Sequence, residues 1–150
     1  MSASSRRLAG VLLILLPTAV FGGVSLLTLL INDPAYQANP LRQDLWRAGH
    51  AHAGVLLLLS LVTLRYVDEA VLGRRARAFA RHAIPAAAIL LPAAFFGSVL
   101  SPDATEPNAL ISLAYVGAVS LVAGLLTLGV GLVRKAPELR ETALRTDTSQ

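Results

Sequence analysis

The chain has 150 residues, of which 55% are hydrophobic and 15% charged, with a net charge of +4. Soluble domains usually carry about 25% charged residues, and here the charges are also segregated, leaving long uncharged stretches and a mean hydropathy of +0.62. A water-soluble protein of this size can hide one such stretch in its core but not four, so an ordinary soluble domain is excluded and a bilayer is implied.

Residues 1–7 are a polar tail ending in Arg6 and Arg7. The first predicted span covers residues 8–31. At about 1.5 Å per residue it reaches roughly 36 Å, enough for a hydrocarbon core of about 30 Å with modest tilt. A basic pair before an apolar run resembles a signal peptide, but a signal's apolar region runs to roughly 7–15 residues, so this span is read as retained. Pro17 lacks a backbone donor, and with Gly22 and Gly23 after it a bend is expected there.

Asn32, Asp33 and Pro34 end the first span. A polar segment leads to Asn39 and Pro40, a cap followed by a first-turn proline, so an interfacial helix over residues 40–48 is expected to run straight into the second span. Tyr36 and Trp46 suit the membrane–water boundary as half-wet anchors. The second span covers residues 49–67, with Arg65 snorkelling at its far end. A basic connector over residues 68–81 ends in Arg81, another expected interface anchor. The third span covers residues 78–100 and contains Pro85 and Pro92, seven residues apart and therefore on nearly one side, where curvature or kinks are expected. A short polar turn precedes the fourth span, residues 108–133. On that span Gly117, Ser120, Gly124 and Gly131 share one side, a small-residue face that lets another helix approach closely. Residues 134–150 are a polar tail.

The fold class is therefore an all-α membrane protein, a four-helix transmembrane bundle in a single domain with both termini on one side. Eleven of the thirteen Lys and Arg residues lie in the two tails and the middle connector when Arg65, at its edge, is counted with it. The tendency of such residues to stay inside puts both termini in the cytoplasm of a bacterial cell and makes the plasma membrane the location. The same account, with anionic lipid as the partner of the basic residues, leaves no role for nucleic acid.

Chemistry has few carriers. Cysteine is absent, which excludes disulfides and thiolate metal sites. No phosphate loop, HExxH or GxSxG motif occurs. Of three histidines, His50 and His52 enter the second span near the outer surface in the segment GHAHAG, and His82 starts the third near the inner one. Positions two apart on a straight helix point about 200° from each other, so one metal could engage both only through a distorted backbone. Three roles remain for the pair: structural hydrogen bonding, axial ligation of haem or ligation of copper, and acid–base chemistry. Tyr115 is a phenol that could reach a ligand or a neighbouring helix, and Arg47, Asp33 and Asp44 could stand at the mouth of such a site. A pocket between spans one, two and four is expected if the histidines form one.

The GHAHAG segment resembles histidine-bearing helices of haem-copper oxidase and nitric oxide reductase catalytic subunits, whose many-helix scaffold is absent here. It also resembles the small bacterial hydroxylaminobenzene mutases, four-span proteins with a histidine near the start of the second span followed by Glu-Gly. Here Ala53 precedes Gly54, and that carboxylate is missing. In this segment and its general layout the chain also resembles small actinobacterial four-span membrane proteins with a GHAHAG pattern. These resemblances imply a site at His50 and His52. Three functions follow as expectations: an accessory or assembly component acting through helix contacts with itself or another membrane protein, a membrane enzyme or haem- or metal-binding redox protein, and an oligomeric carrier or channel.

Overall fold

A computed structural model describes residues 1–134, so all of the predicted polar tail except Arg134 lies outside the described residues. The chain folds into helices α1 (Ala3–Asn32), α2 (Pro34–Gln37), α3 (Pro40–Tyr66), α4 (Arg74–Ser98) and α5 (Leu113–Val133), with a 3-10 turn at Ala109–Ser112 before α5. Four of these elements are long and apolar enough to cross a membrane. The protein is an all-α, multi-pass, four-helix bundle.

Local chemistry sets the helix ends. The Ser2 hydroxyl accepts from Ser5 N to cap α1, the Asp33 carboxylate accepts from Ala35 N and Tyr36 N to cap α2, and the Asn39 side chain accepts from Arg42 N to cap α3. Each satisfies an orphan donor of a first turn. The expected interfacial segment is the first two turns of α3, continuous with the span. Two starts differ from expectation. α1 begins at Ala3 and α4 at Arg74, because flanking arginines are good helix formers and extend each helix beyond its apolar stretch. Helices α1 and α4 run unbroken through Pro17, Pro85 and Pro92, and the latter two are buried.

Packing is uneven. Helix α4 is central, lying between α3 and α5, and α1 packs along α3. Helices α1 and α5 share no extended interface, so the bundle is open between them. The small-residue face of α5 is spent inside the chain. A Cβ on Gly117 would stand 2.9 Å from Leu91 Cγ, and one on Gly124 would stand 3.0 Å from Ala83 Cβ. The Ser120 hydroxyl donates to the Ala83 carbonyl at 2.9 Å. Gly131 receives Leu72 and Ala70 of the α3–α4 connection, and its carbonyl accepts from Val71 N at 2.8 Å. Lipid offers no hydrophobic drive between helices, so this close approach supplies the attraction. By contrast only 6% of the apolar stretch of α1 is buried, against 50% of that of α4.

Ser2 N donates to Asp68 in the α3–α4 connection, and Gly131 meets the same connection. The start of α1 and the end of α5 therefore lie at one end of the bundle, here the connection end. The opposite, α2 end carries α2 and the polar turn after α4.

Candidate functional site

Because α3 is one continuous helix from Pro40 to Tyr66, His50 and His52 lie close to its middle. The divergence expected of a straight helix is realised. His50 faces α1, where a Cβ on Gly23 would stand 3.2 Å from both Cε1 and Nε2 of its ring and one on Gly22 would stand 3.6 Å from Nδ1. The two glycines thus clear a seat for an imidazole. Gly22 and Gly23 precede Ile31 by eight or nine residues, about 12 Å along α1. Among the described residues His50 has no hydrogen-bond partner.

His52 faces α4. Its Nδ1 lies 2.7 Å from the carbonyl of Ala48, one turn earlier, and its ring is 5.1 Å from that of Phe95. A carbonyl only accepts, so in the neutral ring Nδ1 carries the proton and Nε2 keeps its lone pair. Gly49 lets α4 approach, since a Cβ there would stand 2.9 Å from Phe96 Cε2. The two imidazoles therefore serve different helix interfaces and do not converge on one ligand. Among the described residues no group of three or more His, Asp or Glu side chains is placed to hold a metal. Neither of the two grooves described, one beside Asn39 and Pro102 and one beside Leu72 and Leu126, lies at the histidines.

The remaining candidates disperse. Tyr115 is 75% exposed and points away from the bundle. Asp33 is occupied as the cap of α2. Asp44 and Arg47 are exposed, 3.8 Å apart, with Arg47 also donating to Gln43 at 2.6 Å. Arg65 is exposed and pairs with Glu69. His82 is exposed.

Two expected anchors prove to be interior groups. Tyr36 is 1% exposed, and burial, which outweighs the nearby Arg47 and Arg42 charges, pushes its phenol above the ordinary value. Its ring centroid is 5.8 Å from that of Trp46, whose Nε1 donates to the Phe96 carbonyl at 3.3 Å. That bond, with Asn108 Nδ2 to Gly97 O and Asn108 N to Ser98 O, satisfies carbonyls that α4 leaves open at its end. Arg81 does not snorkel. Its side chain is 13% exposed, and it donates to Asp68 at 2.9 Å and to Ser5 Oγ at 3.0 Å.

Asp68 is the residue that sequence reasoning missed. It joins α1 to α4 at the connection end by accepting from Ser2 N at 2.6 Å and from Arg81. Burial alone would raise its carboxyl, but hydrogen bonds from Ser2, Ser5 and Arg81 outweigh that and hold it at about 2. The only linear signal was an acidic residue just beyond a span, with an arginine thirteen positions on.

No family model, curated protein or solved structure matches this chain.

Proposed function

We propose that the chain is an accessory or assembly component of a bacterial plasma membrane, with both termini cytoplasmic, that works through side-by-side helix contacts with itself or a larger membrane protein. The observation that carries this reading is the open bundle. Helices α1 and α5 share no extended interface, while α1 presents large apolar side chains such as Ile14, Phe21 and Val24 outward. The small-residue face of α5 is not available for the contact, and α1, with 6% of its apolar stretch buried, is the least covered of the four spans. The positive charge at the connection end supports the orientation.

Because the native chain has no cysteine, single cysteines give a clean test. Placed at Ile14, Phe21 and Val24 and oxidised in native membranes, they should cross-link to a second chain, with cross-linking recurring every three or four residues along α1. A monomer that cross-links at no α1 position sinks the proposal.

A second reading, a haem- or metal-binding protein, is favoured by His50: an ionisable ring within an apolar stretch, without a hydrogen-bond partner among the described residues, against two glycines. Purified protein would then carry a chromophore or metal that His50→Ala removes and His52→Ala leaves. A carrier or channel would need several copies around a shared axis.

A further inference from the structure

We propose that Arg42 and Tyr36 form a binding site at the α2 end for a phosphate-bearing anion, either a lipid phosphodiester or free phosphate.

Arg42 lies on the first turn of α3 and is 8% exposed. Its guanidinium has five N–H donors. Nη2 donates to the Leu100 carbonyl at 3.3 Å, and Nε is buried without a partner among the described residues. One face of the group is covered by Trp46, whose ring centroid is 4.2 Å from Cζ. Beside the same indole, the Tyr36 hydroxyl is also buried and, among the described residues, unpartnered. Among the described residues no carboxylate pairs with Arg42.

A buried cation without a counter-ion is costly. Its place at the positive end of the α3 dipole adds to that cost. The Leu100 carbonyl and the Trp46 face offset part of it. What remains is an uncompensated charge and two unused donors beside one aromatic ring, and an oxyanion satisfies both needs. The nearby acids do not. Asp33 is engaged as a cap, Asp44 is exposed beside Arg47, and Asp103, on the groove wall, is exposed and pairs with no arginine among the described residues. An open groove of about 510 Å³ adjoins the cluster, lined by Asn39, Pro40 and Leu41 just before Arg42 and by Pro102 and Asp103 just after Leu100. This layer is the end of the apolar spans, the depth at which lipid phosphodiesters lie.

Trp46 is the only tryptophan, so its emission reports directly on this cluster. Full-length protein in an uncharged detergent would be titrated with inorganic phosphate, with short-chain phosphatidylglycerol, and with the diacylglycerol of the same chains. A saturable change with a phosphate-bearing addition and none with the diacylglycerol is expected. Response to inorganic phosphate identifies a free-anion site, and response to phosphatidylglycerol alone identifies a headgroup site. Arg42→Gln should weaken the response about tenfold or more, and Tyr36→Phe, which deletes only the hydroxyl, about threefold. Tyr36→Phe keeps the test decisive if Arg42→Gln loses helicity. The proposal is overturned if neither phosphate compound gives a saturable response, if the diacylglycerol does equally well, or if Tyr36→Phe binds like the unaltered protein.

Discussion

The α4–α5 and α1–α3 interfaces are built by opposite means. Between α4 and α5, glycines remove side chains until backbones nearly touch, and Ser120 adds a hydrogen bond across the gap. Between α1 and α3, larger side chains such as Leu12 and Leu16 meet the core along one stripe, a histidine rests on two glycines, and the helix is tied down at its ends. In a solvent as apolar as leucine, contact density decides which helices are held along their length. Helix α5 is held so, whereas α1 depends on its polar ends.

The largest expected effect comes from spoiling the dense interface. Gly117→Leu should destabilise the fold by about 1–3 kcal/mol in a mixed-micelle unfolding series, because Leu90 and Leu91 leave no room for the added atoms. Gly10→Leu on α1, where a Cβ meets nothing within 4 Å, should shift stability by less than about 0.5 kcal/mol. Equal losses at both positions would erase the contrast.

Next comes the polar tie of α1. Asp68→Asn should cost about 1–2 kcal/mol, through weakened charge-assisted hydrogen bonds to Ser2 and Arg81. The folded carboxyl, at about 2, lies below its ordinary 3.8. Its contribution is therefore complete above about pH 4 and is lost as the pH falls through about 2. Acid unfolding of Asp68→Asn should lack that component, whereas an unchanged acid limb would remove Asp68 from the account. Gly23→Leu should cost about 1 kcal/mol by unseating His50, with α1 becoming more accessible to labelling while α5 does not. The smallest effect is that of Ser120→Ala, about 0.6 kcal/mol for one interhelical hydrogen bond.

Much of this contrast was written in the chain at short range. The four apolar stretches, the Asn39–Pro40 start of α3 and the small-residue face of α5 all depend on neighbours within a few turns. What that face would touch was not legible, since a glycine stripe reads the same whether its partner is α4 or another protein. Likewise, Tyr36 and Arg81 look like interface anchors until Trp46 and Asp68 are seen against them, and such pairings depend on how distant segments come together. The divergence of His50 and His52 followed from helical geometry. Their seats, Gly22 and Gly23 for one and Phe95 for the other, did not, and the outward direction of Tyr115 needed the packing of α5 to be known.

The claim that most of this rests on is that α5 spends its small-residue face within its own chain. The double variant Ala83→Cys with Gly124→Cys, made in this cysteine-free sequence and oxidised in native membranes, tests it directly, since the two Cβ positions lie within disulfide reach. The account predicts an intramolecular disulfide and a monomer-sized product. Disulfide-linked dimers through Gly124→Cys, with no internal bond, would contradict it.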